Sequence, residues 1–421
     1  MIQKHVGLIC LLAAAQSMAG GYEKNIIFSG KQAGVAGAGV SSVEGSQSLL
    51  FNPAGLAAGE GSDLSLHFSP TFSQFKAPLF TAGEQSESKR KFSPVFGLTS
   101  SYRVMPKLSI AAGYYVVGGS AASYGEQDLT DNGFTAVKPD FSSNVTITEL
   151  AVGAGYEFAP GFRFGAAWRA NFVKANYNTG FVSSTSALSV KYSDLSDTTF
   201  KGVRLGFQWE PEDMPFGLGI NWRSNIKFKA EGNINGELET VASPGTKSTL
   251  VGSKASFENN FPQQVAIGGH YDVTDDLRLF SEYVWSEYSR NQRIVATGSL
   301  ATSTGTTVAN SSGIEQNWKN QHNVRVAAQY TGWDWALRGG YVYTSQVTDS
   351  QRPKPTFSVP AVAHTVALGT GSKFMDDKLS FDAAFEYSFA SGTTDESQNT
   401  VANGKYSNNA YAIHTTVGYL F

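Results

Sequence analysis

The chain has few thiols and few charges for its length. Of its 421 residues one is cysteine, Cys10, and 16% are charged, against roughly 25% in a typical soluble domain. Basic residues do not exceed acidic ones, and the formal net charge is −3. A single cysteine excludes zinc or iron–sulfur sites built from cysteine clusters. Proteins that bind nucleic acid need a basic surface, and basic residues are not in excess here, so we expect no nucleic acid partner.

A long hydrophobic run is also missing. Past residue 20 no stretch approaches the ~18 apolar residues of a membrane-spanning helix, so the sequence excludes a helical membrane protein. Glycine and aromatic residues, in contrast, are abundant, with 44 Gly, 28 Phe, 18 Tyr and 7 Trp. The histidines have no metal-ligand spacing and no Gly-x-Ser-x-Gly elbow appears, so we expect no metal, no cofactor and no enzyme activity. A hydrolase whose triad assembles from separate strands is the alternative that spacing does not test.

The first twenty residues have the pattern of a secretory signal. Lys4 supplies a positive charge, an apolar stretch covers residues 6–15, and Ser17-Met18-Ala19 resembles a cleavage site. We expect residues 1–20 to be removed together with Cys10, and a short buried helix is the alternative. An exported chain without thiols suits the envelope of a Gram-negative bacterium.

From about residue 62 onward, apolar and polar residues alternate with a period of two, which predicts β-strands. Phe381, Phe385 and Phe389, for example, fall on one face of a strand while Asp382 and Glu386 fall on the other. Most predicted strands have 12–17 residues, and a tilted strand needs about 9–11 to cross a bilayer. The fourteen predicted strands cover 62–75, 93–105, 107–118, 145–158, 161–177, 198–210, 215–231, 257–273, 277–293, 318–331, 333–346, 361–374, 377–391 and 408–421.

The connections between these strands alternate in length. Six are tight, such as Met105-Pro106-Lys107, and seven are long and polar, such as 119–144 and 178–197. This pattern predicts an all-β fold, a 14-stranded antiparallel transmembrane barrel with both termini on the periplasmic side, as in bacterial outer membrane proteins. The terminal Phe421 resembles the signal by which the barrel assembly machinery recognises such chains. A secreted β-sandwich or adhesin is the alternative.

Residues 21–61 follow a different pattern, because glycine and alanine recur there without alternation. A barrel of this size leaves an open lumen unless something fills it, and small residues let backbone pack tightly in a confined space. We therefore predict a signal peptide over 1–20, an N-terminal hatch inside the lumen over 21–61 and the barrel with its long extracellular loops over 62–421. A flexible periplasmic tail is the alternative for 21–61.

Two motifs in this segment resemble a known family. A Gly/Ala-rich stretch with Gly34, Gly37 and Gly39 is followed by Asn52-Pro53-Ala54 ahead of the first strand. This order resembles the hatch of the outer membrane long-chain fatty acid and aromatic hydrocarbon transporters, the FadL/TodX-like family. Later segments such as Trp285-Ser286-Glu287-Tyr288 look similar too. The resemblance implies a Gram-negative outer membrane transporter through which hydrophobic compounds, long-chain fatty acids first, diffuse passively.

The resemblance also implies a route for the ligand. Capture in an apolar groove of the outer loops is followed by entry into a lumen pocket, rearrangement of the hatch and, in some cases, lateral release through the wall. On this route we predict that Ile26, Ile27 and Phe28 contact the ligand, and that Lys174 or Arg293 holds a ligand carboxylate. Strand parity points Lys174 outward unless a bulge or a position above the membrane intervenes.

A gap in the wall needs a strand that bends, and glycine inside a strand marks such bends. Gly113, Gly118 and Gly119 of the third predicted strand are the candidates, with packing room beside the hatch as the alternative. The expected partners are fatty acids, aromatic hydrocarbons, detergent in vitro, outer membrane lipid and lipopolysaccharide.

Parity also assigns charged residues of both signs to the lumen. Most of them are expected to form ion pairs that brace the wall and anchor the hatch. They are Asp63, His67, Arg103, Glu149, Arg163, Arg169, Arg204, Arg223, Arg325, Arg338, Asp382, Glu386 and His414. Two other functions fit such a barrel: a general diffusion porin, which would conduct ions through an open channel, and a surface adhesin or structural barrel, which would neither conduct nor transport.

Overall fold

The computed structural model describes residues 28–310 and 313–421. The predicted signal peptide, Cys10 and two of the predicted ligand contacts, Ile26 and Ile27, lie outside the described residues. Within the described part, no helix has both the length and the apolar character needed to cross a membrane.

Fourteen antiparallel strands close into a barrel, which confirms the predicted fold. Each strand pairs with the next along the chain, and the last pairs with the first from Asp63↔Leu420 to Lys76↔Ser407. The strands are β1 (Asp63–Ala77), β2 (Lys91–Met105), β3 (Leu108–Glu126), β4 (Asp140–Ala159), β5 (Phe162–Val182), β6 (Ser186–Trp209), β7 (Phe216–Arg223 and Ile226–Thr240), β8 (Lys254–Phe261 and Gln264–Asp272), β9 (Leu277–Ser286 and Arg293–Thr297), β10 (Gln321–Tyr330), β11 (Ala336–Thr344), β12 (Ala363–Phe374), β13 (Leu379–Thr394) and β14 (Gly404–Leu420).

Short strands extend the wall at the end of the barrel that carries the long loops, which we call the loop end. They are Ser86–Glu87, Ser248–Gly252, Ser299–Ala301, Thr307–Asn310 and Ile314–Glu315. The opposite end, where tight turns join the strands, is called the turn end. Single 3-10 turns occur in the connections at Thr130–Asn132 and Thr400–Ala402 and, at Tyr288–Arg290, between the two segments of β9.

The outward face of the wall is apolar. In β1, Leu64, Leu66 and Phe68 are exposed, whereas Ser65 and His67 between them are buried inside. A water-soluble barrel would show the opposite arrangement, with apolar side chains inside. This alternation is the one that a membrane-embedded barrel requires, because lipid surrounds it and polar groups face the lumen.

The strands run further at the loop end than the sequence predicted. β3 reaches Glu126 and β4 begins at Asp140, and only residues 183–185 separate β5 from β6. The sequence predicted loops over 119–144 and 178–197 because the apolar alternation stops there. Pairing continues because an antiparallel ladder needs only backbone N–H and C=O groups, whichever side chains flank them.

Residues 28–61, which we call the lumenal segment, lie inside the barrel towards the turn end. The segment contains α1 (Gly30–Gly34), α2 (Ser48–Phe51) and the 3-10 turns Gly45–Gln47 and Pro53–Ala57. α1 packs against β12 and β13, and the turn at Pro53–Ala57 packs against β4, β5 and β6. Most of these residues are buried and only Glu44 and Glu60 are exposed, so the segment fills this part of the bore.

Glycines in the wall make room for the lumenal segment. A Cβ atom on Gly165 would lie 2.1 Å from the backbone carbon of Pro53, and one on Gly206 would lie 1.9 Å from the Asn52 side chain. Distances below about 3 Å are sterically forbidden for real side chains, so any other residue at Gly165 would displace the segment. Part of the chain's high glycine content therefore serves this contact.

Candidate functional site

Asn52 ties the lumenal segment to the wall. Its side-chain amide donates to the carbonyl of Val40 at 2.7 Å and to the carbonyl of Phe207 on β6 at 3.0 Å. Its carboxamide oxygen accepts from the Ala54 amide at 3.2 Å. Pro53 is the first residue of the turn that follows, where a missing N–H costs nothing. The Asn-Pro-Ala motif is therefore an anchor that supplies partners to buried backbone groups.

A buried ion cluster on β4, β5 and β6 holds the middle of the segment. The Glu149 carboxylate lies 2.6 Å from Arg169 and 3.1 Å from Arg204. Arg204 also donates to the carbonyl of Leu49 at 2.6 Å, and the hydroxyl of Tyr115 donates to Glu149 at 3.0 Å. These side chains are almost completely buried. Each charge is therefore stabilised by the opposite charge beside it, and removal of one partner would leave the other buried and unpaired.

A second buried pair, Glu282 of β9 and Arg325 of β10, grips the backbone of the segment. The guanidinium of Arg325 lies 2.8 Å from Glu282 and donates to the carbonyl of Gly37 at 2.8 Å. The other oxygen of Glu282 accepts from the amide of Val40 at 2.9 Å. We call this pair the Glu282–Arg325 latch, because each charge has one partner in the wall and one in the segment.

Beyond the segment, towards the loop end, the lumen is apolar. The buried side chains there form one continuous group, which we call the lumen cluster, and the centroids of the Tyr192 and Phe257 rings in it are 4.7 Å apart. Aromatic and aliphatic linings of this kind are typical of pockets for apolar ligands. The cluster includes Ile147, Val173, Val190, Tyr192, Leu195, Ile226, Phe228, Phe257, Phe261, Ile294 and Trp318.

The loop between β11 and β12, residues 345–362, covers the lumen cluster at the loop end. The carbonyl of Thr356 accepts a hydrogen bond from Ser143 of β4 at 2.7 Å. The ring of Phe357 stacks on Tyr177 with 5.4 Å between centroids. We call this the covering loop, because it closes the mouth of the barrel with its own side chains and backbone.

The ladder between β2 and β3 is interrupted. Its last pair towards the loop end is Gly97↔Tyr115. Within the described part of the chain, residues 91–96 of β2 have no partner on β3, although β1 pairs with them from residue 91 onward. Beyond Tyr115 both faces of β3 are buried as far as residue 122, so the strand bends into the lumen. The hydrogen-bonded wall therefore has a break between these two strands.

Pro94 and a bulge account for this break. Pro94 lies in the unpaired part of β2 and has no N–H to donate, which is why proline in sheets is confined to edges and irregularities. In β3 the register against β4 shifts between Val116 and Gly118, so Val117 is an extra residue. Such a bulge bends its strand, and here it directs β3 inward.

The predicted wall-gap glycines separate into two groups. Gly118 and Gly119 lie at the shifted register, where the strand leaves the ladder. Gly113 lies in the regular ladder, paired with Thr99, and a Cβ on it would lie 3.2 Å from Leu49 of the lumenal segment. The position of Gly113 therefore favours the alternative interpretation, in which the glycine leaves space for packing of the lumenal segment.

Phe28, the first described residue, lies at the foot of the break. Its ring centroid is 5.0 Å from that of His67 and 5.2 Å from that of Tyr115. A Cβ on Gly97 would lie 3.1 Å from the same ring. Phe28 is fully buried and therefore stands between the lumenal segment and the end of the β2–β3 ladder.

The two predicted carboxylate-binding residues lie apart from the lumen cluster. Lys174 is exposed on the outward face of β5, opposite Thr146 and Ser196. The β5–β6 register shifts before Lys174, between Arg169 and Asn171, and again after it, between Ala175 and Tyr177. Neither shift turns Lys174 inward. Arg293 is also largely exposed and pairs with Glu315 at 3.3 Å. The structure brings neither residue together with Phe28.

The three predicted hatch glycines have distinct surroundings. Gly34 packs on the side chain of Arg338, and Gly37 takes a positive φ of 72° that favours glycine. A Cβ on Gly39 would collide with the side chain of Gln32. All three are buried.

Two residues of this region, one in the wall and one in the covering loop, were not singled out from the sequence. Glu282 alternates with apolar neighbours on β9, so parity gives the signal that places it inside. Lys354 of the covering loop gave no signal, because its position depends on how that loop folds back over the barrel.

A polar cavity of about 530 Å³ opens at the turn end, between the lumenal segment and β10–β14. Its lining includes the ion pairs Lys31–Glu44 and Arg338–Asp382, each 2.7 Å long. Over residues 28–310 and 313–421, no group of three or more His, Cys, Asp or Glu side chains is placed to hold a metal ion. Charged side chains therefore line this end of the bore, whereas the other end is apolar.

Comparisons of the sequence with known proteins match this chain to outer membrane proteins. Residues 10–421 match the family model described as outer membrane protein transport protein (OMPP1/FadL/TodX). A protein of Neisseria meningitidis serogroup B named as an outer membrane protein is 22% identical over 351 residues, which cover 76% of this chain and 75% of that protein.

Solved structures share the fold. A Pseudomonas aeruginosa FadL homologue matches with a TM-score of 0.76 and 17% identity over 96% of this chain and 100% of the other. The Pseudomonas putida toluene transporter TodX matches with a TM-score of 0.76 and 14% identity over 94% and 99%. The Ralstonia pickettii toluene transporter TbuX matches with a TM-score of 0.69 and 16% identity over 94% and 98%.

Proposed function

The chain belongs to the OMPP1/FadL/TodX family of outer membrane transport proteins, and we propose that it carries hydrophobic compounds, long-chain fatty acids first among them, inward by passive diffusion. In this assignment the loop end of the barrel is extracellular and the turn end is periplasmic. Aromatic hydrocarbons are the second ligand class, because related structures are named as toluene transporters.

The observation that carries this proposal is the juxtaposition of the lumen cluster with the break in the wall. Val116 and Val117 belong to the lumen cluster and also to the inward bend of β3. An apolar ligand in the cluster is therefore next to an opening in the ladder that faces lipid. Passage through it avoids water, and water is the barrier that a hydrophobic solute meets in an open pore.

The lumenal segment gives the second support. It occupies the turn end of the bore and is held by Asn52, by the Glu149 cluster and by the Glu282–Arg325 latch. A ligand that moves towards the periplasm must displace this segment, whereas one that leaves between β2 and β3 need displace only local side chains. We propose lateral release as the main route, with Phe28 as the residue of the segment closest to it.

A general porin is the alternative function. Such a protein would conduct ions through a wide aqueous channel, but here the lumenal segment and the covering loop both occupy the bore. Planar-bilayer recordings separate the two functions, because a large steady conductance of the intact protein would favour the porin.

Ser93 offers a direct test of the transport route. It lies in the unpaired part of β2, is fully buried, and its hydroxyl has no partner among the described residues. Ser93→Trp places a large side chain at the break, and Ser93→Ala is the matched control. The measurement is uptake of radiolabelled hexadecanoate by cells that lack the native gene and express each variant, with heat-modifiable gel mobility as the check on folding.

We expect Ser93→Trp to lose most of the uptake and Ser93→Ala to retain it. Full uptake by a folded Ser93→Trp protein would reject the lateral route. Absence of uptake of every hydrophobic compound by cells with the wild-type protein would reject the transport function itself.

A further inference from the structure

We propose that Lys354 of the covering loop is a specificity-determining residue that binds the carboxylate of an amphiphilic ligand at the mouth of the barrel. This inference rests on the proposed function and deepens it, because it favours acids over neutral hydrocarbons. It also assigns the role to a residue other than Lys174 or Arg293.

The first support is the position of Lys354. Its carbonyl accepts from the amides of Phe357 at 3.3 Å and Ser358 at 3.2 Å, so it begins a tight turn. The tip of this turn lies between two aromatic residues of the wall: the hydroxyl of Tyr124 donates to the carbonyl of Pro355 at 3.0 Å, and Tyr177 stacks on Phe357. The backbone of Lys354 is therefore held at the rim of the lumen cluster.

The second support is the balance of charges around it. The cations and acids that act on Lys354 come from two elements, the covering loop with Arg352 and Asp349, and the short strand at 314–315 with Glu315. Asp349 already pairs with Arg352 at 2.9 Å, and Glu315 pairs with Arg293 at 3.3 Å. Three cations thus share two carboxylates.

Lys354 is the third cation, and neither of the two carboxylates is its ion-pair partner. Its ammonium group has no ion pair among the described residues, although its side chain is partly buried. A buried or half-buried charge without a counterion is unfavourable. A ligand carboxylate would supply the missing charge and a charge-assisted hydrogen bond.

The pKa of Lys354 agrees with this arrangement. Burial and, after it, the neighbouring Arg352 together lower the pKa to about 8, against the opposing effects of Glu315 and Asp349. The ammonium is therefore largely protonated at neutral pH and loses its proton just above it. Carboxylate binding would be strong near neutral pH, where ammonium and carboxylate are both charged, and would weaken as pH rises through the Lys354 pKa.

The surroundings also explain why an amphiphile suits the site better than a small anion. Tyr177, stacked on Phe357, belongs to an aromatic group with Tyr192 and Phe257, which leads from the rim into the lumen cluster. An alkyl chain attached to the carboxylate can lie along these rings, whereas a small anion would gain only the ion pair. Neutral hydrocarbons would enter the same cluster without using Lys354.

The experiment compares two ligands of equal chain length, hexadecanoate and hexadecan-1-ol. Binding of each to the full-length protein in lipid nanodiscs is measured for the wild type, Lys354→Met and Lys354→Arg. Lys319→Met is the matched control, because Lys319 is an exposed lysine at the same end of the barrel, and its backbone amide donates to Val347 of the covering loop.

We expect Lys354→Met to lose about tenfold in hexadecanoate affinity and to bind hexadecan-1-ol as the wild type does, as for loss of one charge-assisted hydrogen bond. Lys354→Arg and Lys319→Met should keep the wild-type ratio of the two affinities. Between about pH 7 and about pH 9.5 this ratio should fall for the wild type and stay flat for Lys354→Met.

An unchanged ratio of the two affinities in Lys354→Met would overturn the role of Lys354 while leaving transport of hydrophobic compounds intact. Binding of neither ligand by the wild-type protein would instead contradict the proposed function. The two failures are therefore distinguishable within one set of measurements.

Discussion

The ring of Phe28 lies 5.2 Å from the ring of Tyr115, the last residue of β3 that is paired with β2. One residue of the lumenal segment thus meets the wall where its ladder ends. Tyr115 also donates a hydrogen bond to Glu149, which pairs with Arg204, and Arg204 holds the carbonyl of Leu49. The same residues connect the break in the wall with the anchoring of the segment.

Phe28→Ala should loosen the start of the lumenal segment without disturbing the barrel. Removing a fully buried phenylalanine ring costs about 3–5 kcal/mol of packing, and most of its contacts join the segment to the wall. Hydrogen–deuterium exchange should therefore quicken in residues 28–34 and stay unchanged in β1 and β2. Phe200→Ala, which removes an exposed ring on the outer surface, is the control, and equal protection of residues 28–34 in both variants would contradict the role of Phe28.

The Glu282–Arg325 latch should behave as a coupled pair. Arg325→Met leaves Glu282 buried without its counterion, which costs about 3–5 kcal/mol, and Glu282→Gln strands Arg325 in the same way. The double variant removes both charges and should recover much of this loss. A double-mutant cycle from urea unfolding in detergent micelles measures the coupling, and additive single effects would show that the two side chains act independently.

Asn52→Ala should weaken the anchor at the Asn-Pro-Ala motif. The substitution removes two donors to backbone carbonyls and the acceptor for the Ala54 amide, with an expected cost of about 1–3 kcal/mol. Asn52→Ser keeps the acceptor at the start of the turn and should lose less. Single-channel recordings should show more frequent brief openings for the alanine variant, and recordings identical to the wild type would mean that the anchor does not limit movement of the segment.

Glu239, near the end of β7, organises two loops at the loop end of the barrel. Its buried carboxylate accepts hydrogen bonds of 2.8–3.2 Å from the backbone amides of two loops. Burial alone would raise the pKa of Glu239, but these hydrogen bonds outweigh it and lower the pKa below its ordinary value. The donors are Thr135, Ala136, Val137 and Gly245.

This arrangement predicts a pH dependence of loop order. Because the folded-state pKa of Glu239 is lowered, its stabilisation is complete above the unfolded value of about 4.3 and is lost as pH falls through the folded value. Amide protection of residues 135–137, corrected for intrinsic exchange, should fall in acid for the wild type. Glu239→Gln should show weaker protection at neutral pH and little change in acid, and an acid-sensitive Glu239→Gln protein would assign the effect to another group.

Sequence patterns predicted the wall of the barrel better than its mouth. Alternation placed each of the fourteen strands, since a period of two follows directly from a strand with lipid on one side and a lumen on the other. Lys174 shows the limit of local comparison: its outward position follows from parity, and the family pattern suggested a role that its location on the outer surface does not support. The position of Lys354 depends on the path of the covering loop, which no periodicity records.

By itself the sequence determined the class of protein, the strand number, the alternation of the two faces and the presence of a compact segment ahead of the first strand. These properties depend on the order of neighbouring residues along the chain, and the bilayer imposes them strand by strand. Only folding in three dimensions fixes where β3 leaves the ladder, which charges meet inside the bore and that Lys354 of the covering loop has no ion pair among the described residues. Those features depend on contacts between residues far apart in the chain, such as Gly37 with Arg325, and only closure of the barrel brings them together.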